Sequence, residues 1–371
     1  MTKKTKKTVF YSSIGAFILS SLILVLVAFG YGYDFSSNKI IKTGALLIKT
    51  NTNASVFIND RLRGTTSLLN NSYKETRLLP GKYTIKLESK DYRTWQKVAV
   101  IEESFLTEFP SVLLLPNKIS TTDLPSAISL TGTIDKNDFI TSGKIAYYQN
   151  SLIGLSRNQL LQYDIEKGTV KILVKRVTSF HLNKDNIMYL STDKELYNYS
   201  LNSAVVTSVT SPVNLKFINA VYNLPGAIYI LGGNITGISD LYQIKNEEMR
   251  QISNNVKYIV LSPDEEKLLF YNDHEAQILY LEDSHQPPFQ VAGERELITR
   301  TTQQISDIQW YKDSEHLILN INKNLQLVEV DPRDSKNFMP IFNNISAFSY
   351  DKNSDSLYIL TSLGLAKASL P

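Results

Sequence analysis

The sequence contains no cysteine, which excludes disulfides, thiol nucleophiles and cysteine-ligated metals. Histidine is scarce, and the four copies (His181, His274, His285 and His316) show no metal-ligand spacing. The chain also lacks a Gly-x-Ser-x-Gly elbow, a phosphate-binding loop and a Gly-x-Gly-x-x-Gly fingerprint. We therefore predict a protein that is not an enzyme, needs no cofactor or metal, and is held together by packing and hydrogen bonds.

Concentrated charge is also missing beyond the first few residues. The net charge is +3 and the basic residues are spread, whereas nucleic-acid binding requires a basic stripe. We predict no nucleic-acid partner. Helical periodicity is absent after the N-terminal segment, and the 21 tyrosines and 15 phenylalanines suit pleated, half-buried surfaces. Apart from one N-terminal helix, the sequence thus predicts an all-β fold.

One long apolar run opens the chain. Four lysines precede a stretch without charge from Thr8 to Tyr33, and Val9–Phe29 as a helix would span about 31 Å, enough to cross a bilayer. We predict a basic tail over 1–8 in the cytoplasm, a single transmembrane helix over 9–32, and the C-terminal bulk outside the cell membrane. The alternative is a cleaved signal peptide, although Ala28-Phe29-Gly30 is a poor cleavage site and signal cores are shorter.

The segment 44–116 reads as a small β-domain. Short apolar runs alternate with turn residues such as Pro80-Gly81, where proline presets φ and glycine accepts a positive φ. In Lys82–Glu88 every second side chain is apolar, so one face of that strand is buried. The other expected strands are Ala45–Thr50, Ser55–Ile58, Trp95–Ile101 and Thr107–Leu115.

Several motifs of this segment resemble the PEGA domain family. Ala54–Ile58 matches its early strand, Gly64-Thr65-Thr66 its Gly-x-Thr-Pro turn, and Leu79–Tyr83 its Leu-Pro-Gly turn. Thr66 stands where the family has proline, and Asp91-Tyr92 stands where it has Gly-Tyr. The resemblance implies a small β-sandwich-like module without catalytic residues. Another kind of small β-sandwich is the alternative.

Residues 177–371 repeat with a period near forty. Each unit starts with an apolar strand, and an Asp or Asn follows at a fixed distance: Asp185, Asn223, Asp264, Asp313 and Asn353. These residue types tolerate turn conformations and hydrogen-bond to their own backbone, so the column marks a hairpin in every unit. Units of about forty residues with three or four strands are typical of propeller blades.

The turn Ser262–Lys267 resembles the Ser-Pro-Asp-Gly-Lys turn of TolB-like β-propeller repeats, with Glu265 where glycine is usual. We predict a linker over 117–126 and a β-propeller over 127–371. The repeats, an earlier unit at 144–174, and a three-stranded last unit completed by a strand near 127–133 make about six blades. Pairing of the two ends would close the ring and remove exposed edges. Seven blades remain an alternative if 120–137 holds further strands.

A second column ends the first strand of each unit: Leu182, Ala220, Leu261, Trp310 and Tyr350. We interpret it as packing between blades, with stacking on a ligand as the alternative role of Trp310. Its neighbour Tyr311 and the loop residue Phe289 are the other candidate ligand-binding residues. Phe289 lies in 281–304, which is longer than the equivalent parts of the other units. Such insertions often decorate a binding face, and a plain surface loop is the alternative.

Two kinds of function fit these features. The expected one is a membrane-anchored envelope protein whose propeller binds a protein or a cell-wall glycan. The alternative is a hydrolase or other enzyme with a site assembled on the propeller axis from several blades. At the axial mouth of the propeller, two or more carboxylates or histidines converging in a pocket would favour catalysis, and a shallow or polar mouth would favour binding.

Overall fold

The computed structural model describes residues 3–371 except 36, 125–144, 184, 194, 209–216, 225–226, 236–237, 246–247, 285–287 and 363. Within these ranges the chain has one N-terminal apolar helix and is otherwise nearly all β-structure, which confirms the predicted fold class. It forms two compact units: Met1–Asn117 with Arg333–Ser335, and Lys118–Pro332 with Lys336–Pro371.

Helix α1 spans Lys3–Ala28, and its part Lys7–Ala28 is apolar and long enough to cross a membrane. None of that part is buried against protein. The hydroxyls of Ser13 and Ser20 donate to carbonyls of the preceding turn, so these polar groups are satisfied within the helix. A hairpin that the sequence analysis missed follows the helix, with strands β1 (Tyr31–Asp34) and β2 (Lys39–Lys42).

The rest of the first unit is a sandwich of two sheets. Its strands are β3 (Gly44–Thr50), β4 (Ser55–Ile58), β5 (Arg61–Thr65), β6 (Ser72–Leu78), β7 (Gly81–Glu88), β8 (Trp95–Ile101) and β9 (Leu106–Val112). One sheet has the order β6-β3-β9, with β3 and β9 parallel, and the other has the order β5-β4-β7-β8. Strands β5 and β6 are additions to the predicted set. Their residues are mostly exposed, so they carry little hydrophobic signal.

The sandwich core lies between the two sheets. Ile85 and Leu87 alternate with half-buried residues along β7, as the sequence pattern predicted. They join a cluster with residues of the facing sheet, including Leu46 and Ile48. Trp95 and Phe109 meet edge to face across this core, with ring centroids 5.3 Å apart.

The described part of the second unit has six four-stranded antiparallel sheets, which we number as blades in chain order. Blade 1 has β11 (Ile145–Tyr148), β12 (Ser151–Ser156), β13 (Gln159–Asp164) and β14 (Thr169–Lys175); blade 2 has β15 (Val177–Asn183), β16 (Asn186–Ser191), β17 (Leu196–Ser200) and β18 (Val206–Ser208); blade 3 has β19 (Phe217–Leu224), β20 (Ala227–Ile235), β21 (Ile238–Lys245) and β22 (Glu248–Ser253). Blade 4 has β23 (Tyr258–Leu261), β24 (Lys267–Tyr271), β25 (Glu275–Tyr280) and β26 (Arg295–Arg300); blade 5 has β27 (Ile305–Trp310), β28 (His316–Ile321), β29 (Asn324–Glu329) and β30 (Phe338–Phe342); blade 6 has β31 (Ile345–Asp351), β32 (Ser356–Thr361), β33 (Leu365–Ser369) and β10 (Thr121–Asp123).

Blade 6 takes its fourth strand from the start of the unit. Strand β10 pairs antiparallel with β33, and Thr122 lies opposite Lys367. The sequence analysis expected this pairing from a strand at 127–133, which lies outside the described residues, and assigned 121–123 to the linker. The seven-blade alternative also depended on 120–137, most of which is not described.

The blades form a ring because each covers the apolar face of the next. Shared hydrophobic clusters join blades 1 and 2, blades 3 and 4, and blades 4 and 5. A further cluster joins blade 6 to blade 1, where the rings of Tyr147 and Tyr358 stack with centroids 5.0 Å apart. The first strands of blades 5 and 6 also contact each other, as do β16 and β19 of blades 2 and 3. The described part of the second unit is therefore a six-bladed propeller, with its last blade packed against its first.

Candidate functional site

A cavity of about 350 Å³ lies inside the ring. The first strands of blades 1, 2, 4, 5 and 6 line it, which makes them the innermost strands. The side chains of β19, the first strand of blade 3, are outside the described set. Most of the lining is apolar or aromatic, and the column that the repeat revealed contributes Leu182, Leu261, Trp310 and Tyr350.

Trp310 takes part both in the packing between blades and in the lining of the cavity. Its side chain is 6% exposed and belongs to the cluster shared by blades 4 and 5. The indole Nε1 donates to the carbonyl of Val260 on blade 4 at 3.0 Å. This bond fixes the orientation of the ring where it borders the cavity.

The other two candidate residues lie elsewhere. Tyr311 is buried, stacks on Tyr350 with centroids 5.1 Å apart, and hydrogen-bonds through its hydroxyl to the carbonyl of Pro371. Burial holds the pKa of Tyr311 above its ordinary value, and the carboxylates of Asp355 and Asp313 add to the effect. Phe289 is 56% exposed, and neither residue is among the described residues that line the cavity. The structure therefore does not bring the three candidates together.

The polar part of the cavity wall is centred on Asp307, which is 4% exposed. The hydroxyl of Tyr271 donates to Asp307 Oδ1 at 2.8 Å, and Gln309 Nε2 donates to Oδ2 at 2.9 Å. Gln309 also donates to the carbonyl of Phe348 at 3.1 Å and accepts from the amide of Tyr350 at 2.9 Å. Hydrogen bonds thus run from blade 4 through blade 5 to blade 6.

Burial determines the protonation of the hydroxyl in this network. It raises the pKa of Tyr271 well above its ordinary value, and the charge of Asp307 and its hydrogen bond raise it further. Burial also raises the pKa of Tyr258, whose ring lies 5.0 Å from that of Tyr271. Both phenols are therefore neutral donors at physiological pH.

The mouth of the cavity lies among the turns that join the first and second strands. Ser262, Pro263 and Glu265 of the blade 4 turn line it, together with Lys352 of the blade 6 turn. Glu265 has a φ of 66°, a backbone conformation that suits glycine. Both Glu265 and Lys352 are exposed, so the mouth presents one carboxylate and one ammonium beside apolar walls.

The connection between the third and fourth strands of blade 4, which carries Phe289, is at this same end. In an antiparallel four-stranded blade, the first and third turns lie at one end and the second at the other. Gly293 donates its amide to the carbonyl of Tyr280, and Ser284 donates to the carbonyl of Gln290, both at 2.8 Å. The long connection is therefore ordered by backbone bonds on both sides of the undescribed residues 285–287.

The cavity offers walls for contact more than groups for acid–base chemistry. Its described lining contains no histidine and two carboxylates, of which Asp307 is buried on the inner strand of blade 5 and Glu265 is exposed in the turn of blade 4. Each oxygen of Asp307 accepts one hydrogen bond from a neighbouring side chain, which places this carboxylate in the network that joins the blades. Among the described residues no three His, Cys, Asp or Glu side chains are grouped to hold a metal. An apolar pocket with few polar groups is typical of ligand binding.

The sequence analysis missed Asp307, Gln309 and Lys352. One local signal was available for the first two. They are two positions apart on an inner strand and thus share a face, where two polar side chains in an apolar strand indicate a buried network. Lys352 follows the strand end directly and carries no signal of its own.

Comparisons with known proteins give only distant likenesses. No family model matches the chain, and no curated protein matches it. Among solved structures, it is similar to the gluconolactonase XC5397 of Xanthomonas campestris, with 12% identity, a TM-score of 0.46, and coverage of 62% of this chain and 85% of that one. It is also similar to a structural genomics protein of unknown function from Bacteroides thetaiotaomicron, with 14% identity, a TM-score of 0.45, and coverage of 86% and 90%. These scores carry no argument about activity.

Proposed function

We propose that this chain is a single-pass membrane protein of the cell envelope whose propeller binds a protein or a cell-wall glycan without catalysis. The observation that carries the proposal is the axial cavity, whose mostly apolar walls come from five blades and whose buried carboxylate is held in the network between blades. The ligand would enter at the mouth, between Glu265 and Lys352.

The N-terminal helix supports the membrane part of the proposal. Its apolar part has a mean hydropathy of 2.2 and is not buried by protein. Four lysines lie at the N-terminal end of the helix, and positive charge is retained on the cytoplasmic side of a membrane helix. The N-terminus would be cytoplasmic, and the sandwich and the propeller would lie outside.

We further propose that the sandwich is a PEGA module, on the basis of its turns. A Cβ on Gly64 would come within 3.1 Å of the Tyr73 ring, which accounts for the glycine of the matching motif. Thr66 replaces the family's proline, donates its amide to the carbonyl of Ala54 and accepts the amide of Ala54 on its hydroxyl, at 2.8 and 2.9 Å. A proline could not donate the first bond, so the departure from the family pattern has a local reason.

A pair of charge reversals tests the site. Lys352→Glu changes the mouth, whereas Lys323→Glu makes the same change at the second-to-third strand turn of blade 5, at the opposite end of the ring. Full-length protein in nanodiscs would be incubated with solubilised envelope proteins and, separately, with purified cell-wall glycan. We expect retention in one arm to fall about tenfold for Lys352→Glu and to be unchanged for Lys323→Glu, since mouth charges contribute to recognition.

The two arms also separate the proposed partners. If Lys352→Glu loses retention only in the glycan arm, the ligand is a glycan. If it loses retention only in the protein arm, the ligand is a protein. Equal retention by wild type and both variants would contradict binding at the cavity. Turnover of a supplied glycan or ester that Asp307→Asn abolishes would favour the enzymatic alternative.

A further inference from the structure

The hairpin after α1 exposes large apolar side chains. Phe35 is 83% exposed, Ile40 56% and Tyr33 47%, and Phe29 at the end of the helix is also exposed. The rings of Tyr33 and Phe35 meet edge to face with centroids 4.9 Å apart, so they form one aromatic surface. This exposed apolar surface directly follows an apolar helix that no protein covers. Such a surface is typical of a site that contacts another apolar surface.

Residues that flank the hairpin on its two sides hydrogen-bond to each other. The amide and the hydroxyl of Thr43 both donate to the carbonyl of Gly30 at 2.8 Å, which closes the hairpin base at the helix end. A Cβ on Gly32 would lie 2.8 Å from Thr43 Cγ2, so the β1 backbone lies directly against Thr43. The hairpin is therefore a defined structural element, held by these contacts, between the helix and the sandwich.

The charges of the hairpin suit the surface of a bilayer. Lys39 and Lys42 are exposed on β2, and the ammonium of Lys42 lies 6.0 Å from the centre of the Tyr31 ring. Aromatic rings with an adjacent lysine are the composition that anchors segments at the headgroup level. The neighbouring turn 102–105 of the sandwich instead begins with the exposed Glu102 and Glu103, which favour water. The sandwich also exposes Phe105, which follows these glutamates, and Leu68 and Leu69, which lie at the end of the sheet far from the hairpin. The hairpin is therefore the exposed apolar surface best placed to meet lipid.

We propose that the β1–β2 hairpin lies in the lipid headgroup layer, with Tyr33, Phe35 and Ile40 toward the acyl chains. Lys39 is on the opposite face of the hairpin, toward the phosphates, and Lys42, which shares a face with Ile40, reaches the phosphates through its long side chain. This rests on the proposed membrane insertion of α1. The occupant of the exposed aromatic surface is thus the bilayer itself, and the hairpin fixes where the first unit leaves the membrane.

The absence of cysteine permits a clean test, because one introduced cysteine carries one label. Full-length Phe35→Cys, Ser20→Cys and Ser67→Cys would each be labelled with an environment-sensitive fluorophore and reconstituted in vesicles of phosphatidylcholine with phosphatidylglycerol. Ser20 lies within α1. Ser67 is exposed and lies next to Ser72, which pairs with Lys49 at the end of β6 that is far from the hairpin. Emission is then measured with brominated lipids and with aqueous iodide.

We expect brominated lipid to quench the labels at positions 20 and 35, with a blue shift at both, while iodide quenches only position 67. If position 20 is quenched by lipid but position 35 behaves like position 67, the hairpin proposal is wrong and the anchor stands. If position 20 is quenched by iodide and not by lipid, both proposals are wrong. Lipid quenching at position 67 as strong as at 35 would also overturn the specific role of the hairpin.

Discussion

The hydroxyl of Tyr271 donates to Asp307 Oδ1 across 2.8 Å and joins blade 4 to blade 5 inside the propeller. Gln309 continues the connection to blade 6 through the carbonyl of Phe348. The propeller axis is therefore bordered by a polar network between blades as well as by apolar packing.

Replacing the carboxylate at the centre of this network should destabilise the ring. Asp307→Leu leaves the Tyr271 hydroxyl and one of the two N–H groups of Gln309 Nε2 without an acceptor, and we expect a loss of about 2–3 kcal/mol in the free energy of unfolding. Urea denaturation of the full chain measures it. Asp273→Leu is the control, because Asp273 forms a surface pair with Lys257. Equal stability of Asp307→Leu and wild type would show that the network contributes nothing.

Lys267 links neighbouring turns at the mouth end of the ring. Its ammonium lies 3.1 Å from Asp264 Oδ2 in its own turn and 3.1 Å from Glu315 Oε1 on blade 5, and its side chain is largely buried. Lys267→Met should cost about 2 kcal/mol, less than for fully buried pairs because Glu315 is partly exposed. Lys257→Met removes an exposed pair and should cost under about 1 kcal/mol. Similar unfolding midpoints for the two variants would contradict a structural role for Lys267.

Glu265 occupies a position that suits glycine. With φ at 66°, a residue with a Cβ is held in the left-handed region, which costs about 1 kcal/mol. Glu265→Gly should therefore raise the free energy of unfolding by about 0.5–1 kcal/mol. The neighbouring Glu266→Gly, whose φ is not positive, should lower it or leave it unchanged. A lower free energy of unfolding for Glu265→Gly than for wild type would contradict the claim that the backbone is strained at Glu265.

His316 should make stability depend on pH. Burial disfavours its charged form, but Asp313, whose Oδ2 lies 2.7 Å from Nδ1, together with Glu329 and Glu315 holds the pKa of His316 above its ordinary value of 6.5. A raised folded pKa gives stability that is complete below 6.5 and is lost as pH rises through the folded value. Urea midpoints should fall from about pH 6 to about pH 9 in wild type, and His316→Gln should flatten this slope. Equal slopes of the urea midpoint against pH for wild type and His316→Gln would rule out a contribution of His316.

Much of the fold follows from local pattern. The apolar run, the alternation in β7 and the Asp/Asn column each depend on residues close in sequence, so they predicted the helix, the sandwich and the blades. Strand β10 could not be found this way. Its residues Thr121, Thr122 and Asp123 are all polar and exposed, because the outermost strand of a blade contributes an edge and little core.

The site was less accessible to sequence reasoning. The Trp310 column was visible because the repeat puts one residue per blade at the end of the inner strand. The network around Asp307 draws on three blades, because Tyr271 bonds to Asp307 and Gln309 bonds to Phe348. Nothing in the spacing of Tyr271, Asp307 and Phe348 along the chain indicates that they meet. Tyr311 follows Trp310 directly, yet successive strand residues point to opposite sides, and it is buried against Tyr350.

The most direct test of the whole arrangement is a disulfide across the closure of the ring, because the axial cavity exists only if the ring is closed. Thr122 and Lys367 are opposite each other in the β10–β33 pair, at the spacing of cross-strand neighbours that a disulfide can bridge. Full-length protein with Thr122→Cys and Lys367→Cys, otherwise free of cysteine, would be oxidised and analysed by non-reducing electrophoresis and thermal denaturation, beside each single variant. We expect an intramolecular crosslink in nearly all molecules and a higher Tm. Free thiols or only intermolecular crosslinks in the folded double variant would contradict the closed propeller.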